Sequence, residues 1–182
     1  MDDFAVQVAP AGASTLRTGD LVAAAYDRHQ RELFTFAVRA CHDRDGAEDL
    51  VQEAFTRLIV EVEADRAPLN IRAWLYRVIA NLAVSRARHT GVAQRQLGAL
   101  VVDEEDAGPE PAYLDHEQQG DLDLVLGELP TDARTALLMA AKGFNGMEIA
   151  EAIGRSGNAT RTLMCRARLH LRHRLESMAA LA

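Results

Sequence analysis

Residues 146–163 read G-M-E-I-A-E-A-I-G-R-S-G-N-A-T-R-T-L. Two short apolar-patterned segments flank Gly154, and the glycine marks a tight turn between helices where a side chain would be crowded. With Gly146 as the first position, Ala150 is the fifth and Gly154 the ninth, the places where closely approaching helices need small residues. Leu163 falls where a buried aliphatic locks the second helix. The pattern predicts a helix-turn-helix, with a scaffold helix over 147–153 and a recognition helix after it.

Asn158 or Ser156 is placed to cap that second helix, leaving free backbone N–H groups for a phosphate. From Arg155 to Arg174 there are six arginines and no acid, which suits charge neutralisation in a DNA groove. Arg161, Cys165, Arg168 and Arg172 share one face, with Arg155 in the turn and Arg166 on the flank. Upstream, Pro130-Thr131-Asp132 predicts the start of a further helix running to Met139.

The chain around this basic segment carries a net charge of -7 over 182 residues, which is unexpected for a lone DNA binder. Charge is segregated: residues 1–65 hold six Arg against 13 acids, and 66–102 hold six Arg and no acid. Residues 103–128 hold ten acids and no base, and 129–182 hold eight bases and four acids. Such alternation speaks to association with charged partners rather than to fold.

Periodicity fills in the rest. Ala47, Leu50, Val51, Ala54, Phe55, Leu58, Ile59 and Val62 form an amphipathic stripe over four turns, and Asp45 with Glu48 has the spacing of a capping box. The outward face of that helix carries Glu48, Asp49, Gln52 and Glu53, with Glu53 and Arg57 spaced as an i,i+4 ion pair. A second stripe, Ile71, Trp74, Leu75, Val78, Ile79 and Leu82, follows the break at Pro68, and Trp74 reads as core. The other face of this helix is basic and polar: Arg77, Asn81, Ser85 and Arg88 lie in one row, with Arg72, Tyr76 and Arg86 beside it. A helix from about Leu21 to Ala40 precedes both, and the three predict one compact unit.

Between Gln96 and Leu129 the pattern weakens into D-E-E-D-A-G-P-E-P, which is too charged and too rich in Pro and Gly to pack a core. It reads as an acidic linker, with a helix resuming near Tyr113. The expected organisation is a tail over 1–20, a helical domain over 21–95, a linker over 96–128 and a helix-turn-helix domain over 129–178. No strand alternation or repeat is present, so the fold class is all-α in two parts.

Cys41 and Cys165 lack a C-x-x-C pairing and predict reduced thiols. The acidic Met-Asp-Asp start lacks the basic flank of a signal peptide, and no apolar run approaches a membrane span; a cytoplasmic protein without membrane insertion is expected. His170, His173 and Cys165 are an incomplete ligand set, so no metal and no cofactor is expected. No nucleophile stands with a base, no glycine loop cradles phosphate, and an enzyme is not expected.

Three blocks carry a resemblance: D-G-A-E-D-L-V-Q-E-A-F-T-R-L at 45–58, R-A-W-L-Y-R-V-I-A-N-L-A at 72–83, and L-P-T-D-A-R-T-A-L-L at 129–138 followed by M-E-I-A-E-A-I-G. In this order and spacing they resemble bacterial sigma factors of the extracytoplasmic-function type, within the sigma-70 family. The resemblance covers roughly Leu21 to Leu175. It implies a sigma-2 domain, a linker and a sigma-4 helix-turn-helix domain that join core RNA polymerase and direct it to promoter DNA.

On that basis Glu48, Asp49, Gln52 and Glu53 are expected to grip core polymerase. Arg72, Tyr76, Arg77, Asn81, Ser85, Arg86 and Arg88 are expected on minus-10 DNA, and Arg155, Asn158, Arg161, Thr162, Arg166 and Arg168 on minus-35 DNA. An anti-sigma factor is a further implied partner. The chain departs from the family's pattern at Ser85, where Asp is frequent, at Asn158-Ala159-Thr160 in place of Gly-Thr-Val, and at Leu163 in place of Arg. Two other readings remain open: a stand-alone helix-turn-helix regulator, and a sigma-like protein that binds polymerase without recognising promoters.

Overall fold

The computed structural model describes residues 11–97 and 116–180. The first ten residues and the acidic stretch at 103–111 lie outside them. Among the described residues seven helices follow one another: α1 Ala11–Cys41, α2 Arg44–Glu63, α3 Ile71–Leu97, α4 His116–Gly127, α5 Thr131–Ala141, α6 Gly146–Ala152 and α7 Gly157–Ala179. Among the described residues there is no strand, and the fold is all-α.

Local chemistry sets the breaks. His42 ends α1 and Asp65 follows α2, each in the left-handed region at φ 57° and 55°. Asn70 opens α3, its Oδ1 accepting from the Ala73 amide at 3.0 Å. The capping box expected from Asp45 and Glu48 is not formed. Instead Asp43 is the N-cap of α2 and makes no side-chain cap bond, because its carboxylate faces Arg86, 3.8 Å away. A capping box does occur at α6, where the Asn145 side chain accepts from the Met147 and Glu148 amides and Glu148 returns the bond to the Asn145 amide. The N-x-x-E spacing of Asn145 and Glu148 is the sequence signal of this box.

The apolar stripes meet as expected within α1–α3. Leu33, Phe36, Ala54, Leu58, Leu75 and Ile79 are all buried. The same core continues into the second half of the chain: Ala136, Met139, Ile149, Ile153 and Met164 join the cluster that holds Tyr76 and Ile79. The two parts therefore share one apolar core. A smaller cluster of Leu126, Leu129, Ala133 and Ala167 seats α4 and α5 on α7, so helix begins well inside the stretch that composition marks as linker.

Polar ties reinforce this packing. Arg134 on α5 is only 5% exposed; its Nε and Nη2 donate to the Ala40 carbonyl at 3.0 and 2.8 Å, and its Nη1 to the Gly127 carbonyl at 3.3 Å. Both carbonyls belong to last turns of helices, where they lack intrahelical partners and carry partial negative charge.

Candidate nucleic-acid interface

The helix-turn-helix is built as the spacing requires. Gly154 has φ 63°, a conformation strained for any residue with a Cβ, and it turns the chain from α6 into α7. Ser156 is the N-cap of α7, its Oγ accepting from the Ala159 amide at 3.3 Å; Asn158 lies inside the first turn and is exposed. Leu163 is half-buried and packs against both apolar clusters. Along the outer face Arg161, Thr162, Arg166, Arg168 and Arg172 are exposed. None of these arginines makes an ion pair among the described residues. Arg155 differs, since it is paired with Asp132 on α5, and Arg174 donates to Glu128 at 2.8 Å.

On α2 the four polar candidates Glu48, Asp49, Gln52 and Glu53 all face outward. Glu53 accepts from Arg57 Nε at 2.8 Å, the pair that the spacing predicts. Asp49 lies 3.6 Å from Arg86 of α3. A Cβ on Gly46, in the first turn of α2, would run into the Asp43 carboxylate and stand 2.9 Å from Arg86 Nη1 of α3.

The seven candidates on α3 divide sharply. Asn81, Arg86 and Arg88 are exposed, while Ser85, Arg72 and Arg77 are partly covered. Arg72 forms a two-point fork with Glu32 of α1 at 2.9 and 3.0 Å. That guanidinium holds the Glu32 carboxyl down at about 2 against the opposing effect of burial. Tyr76 is not on the exposed row of α3. It is completely buried, its ring packs edge-on to Phe36 at 4.9 Å and against Phe144 at 5.6 Å, and its hydroxyl reaches Glu32 at 3.2 Å. Burial pushes its phenol up to about 12. Helical counting sets Tyr76 at the edge of the basic row, yet it points inward to Phe36 and Glu32 of α1, and Phe144 of the second half packs on it as well.

Asn81 lines a groove of about 270 Å³ with Arg57, Trp74, Arg77 and Val78, and Glu151 and Ala152 of α6 form its opposite wall. Arg77 is 3.7 Å from Glu151, and Arg88 donates to the Ile153 carbonyl at 2.6 Å. The basic row of α3 thus lies beside the helix-turn-helix rather than open to solvent along its length, a relationship that neither stripe shows when read separately.

His170 sits 3.0 Å from Glu128, and among the described residues no three His, Cys, Asp or Glu side chains gather as a metal site. No helix among them is long and apolar enough to cross a membrane.

Comparison with known proteins gives two matches to family models, "Sigma-70 region 2" over residues 25–92 and "Sigma-70, region 4" over 119–171. The ECF RNA polymerase sigma factor EcfG of Rhodopseudomonas palustris is 30% identical over 142 residues, covering 76% of each chain. SigE of Mycolicibacterium smegmatis is 30% identical over 151 residues; the match spans 80% of this chain but only 58% of that relative. Among solved structures, the sigma factor RpoE in complex with the anti-sigma factor NepR from Bartonella quintana is 25% identical at a TM-score of 0.62, covering 83% of this chain and 98% of that one. CnrH, in complex with the cytosolic domain of CnrY, shares the fold at 20% identity and a TM-score of 0.56.

Proposed function

Because this chain belongs to the extracytoplasmic-function sigma factors of the sigma-70 family, we propose that it binds core RNA polymerase and directs promoter-specific initiation in the cytoplasm. The observation that carries this reading is the separation of charge between the two halves. Exposed carboxylates stand on α2, and exposed guanidinium groups without ion-pair partners among the described residues stand on the outer face of α7. A positively charged partner is attracted to the first and a nucleic-acid backbone to the second.

In this reading Glu48, Asp49, Gln52 and Glu53 dock the polymerase. The α3 row, Arg72, Arg77, Asn81, Ser85, Arg86 and Arg88, meets the minus-10 element, where parted strands expose a base and need backbone neutralisation. Arg155, Asn158, Arg161, Thr162, Arg166 and Arg168 meet the minus-35 element in its major groove. Tyr76 supports α3 from beneath and has no direct contact. The chain supplies no catalysis; nucleotide addition belongs to the polymerase. The resemblance to sigma factors solved with anti-sigma factors supports a protein inhibitor as a further partner.

Run-off transcription with purified core enzyme and a genomic promoter library tests the proposal. Initiation at a shared promoter sequence is the expected result. Specific duplex binding without core enzyme would favour a stand-alone regulator, and core binding without initiation a sigma-like protein that does not read promoters.

A further inference from the structure

One arginine of α3 leans onto the carboxylates of α2. Arg86 Nη1 lies 3.6 Å from the Asp49 carboxylate and 3.5 Å from the Gly46 carbonyl, and its Nη2 lies 3.8 Å from the Asp43 carboxylate. Arg72, Arg77 and Arg88 are tied elsewhere, to Glu32, Glu151 and the Ile153 carbonyl. By helical angle Arg86 stands roughly half a turn away from Arg77, on the side of α3 that meets α2.

This is a seat that a cation would not take unaided. The first turn of a helix presents unpaired amides and carries partial positive charge, which disfavours a guanidinium. Two residues make the seat. Asp43, the N-cap of α2, forms no side-chain bond to the α2 amides and offers its carboxylate to Arg86 instead. Gly46 is buried and supplies the room, since a side chain there would displace the ends of both Asp43 and Arg86. Those ends are flexible, so filling the seat moves two side chains and leaves the backbone in place.

We propose that Arg86 is a positioning residue for the docking face: seated by Asp43 and Gly46, it offsets the charge of Asp49 and so sets how strongly α2 attracts a cationic partner. The inference rests on the reading of α2 as the polymerase-docking helix. Two carboxylates and one guanidinium leave this corner with a single negative charge, and removing the guanidinium doubles it. Complementary charge raises the association of a basic partner. The side chains of Arg86 and Asp49 are 48% and 72% exposed, so solvent screens the pair and the effect is modest, about two- to fivefold in affinity. The exposed part of Arg86 is still open to a phosphate, so the residue serves both faces.

The test is the affinity of the full chain for core polymerase, by fluorescence anisotropy. Arg86→Gln is expected to bind core about two- to fivefold more tightly than the unaltered chain, and the gain is expected to vanish when Asp49→Asn is already present. Damage to the fold would weaken docking, so the sign separates a positioning role from a structural one. Gly46→Ala keeps the guanidinium but fills its seat, and a gain in the same direction is expected. Arg28→Gln, on α1, makes the same change in net charge and is expected to leave affinity unaltered. If Arg86→Gln loses its helical circular dichroism, Gly46→Ala with and without Asp49→Asn carries the comparison. Folded variants that bind no more tightly, a gain that survives Asp49→Asn, or an equal gain in Arg28→Gln would each overturn the positioning role. An unaltered chain that does not bind core at all would instead defeat the docking reading, and this inference with it.

Discussion

Glu32 and Arg72 meet in a two-point fork, Nε to Oε1 at 2.9 Å and Nη2 to Oε2 at 3.0 Å, tying α1 to the start of α3. The Tyr76 hydroxyl and His29 Nδ1 complete the ring of partners around this carboxylate. Glu32 is depressed from its ordinary 4.5 to about 2, with the Arg72 hydrogen bonds as the leading cause. A lowered carboxyl stabilises the fold above its unfolded value, and that contribution fades as pH falls from about 4.5 towards 2. With solvent screening of a pair that is partly exposed, the contribution is on the order of 1–2 kcal/mol. Glu32→Gln is expected to lower stability by that amount at pH 7 and to flatten the acid limb of the unfolding free energy, measured by urea denaturation across pH.

Tyr76 separates a packing role from a DNA role. Tyr76→Phe keeps both aromatic contacts and loses only the bond to Glu32, so stability is expected to fall by about 1 kcal/mol with promoter use unchanged in run-off assays. Tyr76→Ala removes a fully buried ring and is expected to cost about 3–5 kcal/mol. A Tyr76→Phe protein of full stability that fails to open promoters would restore the residue to the DNA interface.

Salt dependence reports the outer face of α7. Arg161, Arg166 and Arg168 are exposed there without ion pairs among the described residues. Each arginine that touches a phosphate releases counter-ions, so replacing one with Ala is expected to reduce the log–log salt slope of promoter binding by the holoenzyme by about 0.9. Asn158→Ala is expected instead to change sequence preference with little change in slope. Competition titrations across potassium chloride concentrations distinguish these outcomes.

His42 makes the junction of the two halves sensitive to acid. Its ring packs on Gly127, and burial first, then the charge of Arg134, lowers its pKa below the ordinary 6.5, with Asp123 opposing them; Arg39 in turn pairs with Asp123 at 3.2 Å. A depressed histidine is neutral in the packed state, so packing weakens as pH falls through about 6.5 and the separated state takes up the proton first. His42→Gln is expected to remove this component between pH 7 and 5.5, measured as the pH dependence of thermal unfolding.

The elements with strong periodicity were legible in the sequence. Leu50, Val51, Ala54 and Leu58 lie in the core as their spacing implies, and Gly154 has the turn conformation that its place in the motif demands. What the sequence hid was long-range. Arg134 looks like an ordinary surface arginine at i+2 from Asp132, and nothing local shows that it enters the end of α1, 94 residues earlier. Tyr76 sits at the margin between the apolar stripe and the basic row, and its burial depends on partners far away in sequence, Phe36 and Glu32 of α1 and Phe144 after α5. The start of α2 is ambiguous in the sequence because Asp43 and Asp45 offer equivalent cap chemistry, and Arg86, from another helix, faces the carboxylate of Asp43.

The most direct test of the division between carboxylates that dock and arginines that read is the affinity of core polymerase for the Asp49→Lys, Glu53→Lys protein. Both side chains are exposed on α2, so helical content and cooperative unfolding are expected to be retained. Core association is expected to be lost in a pull-down and to fall at least a hundredfold by fluorescence anisotropy. Wild-type affinity in the doubly reversed protein would contradict the account.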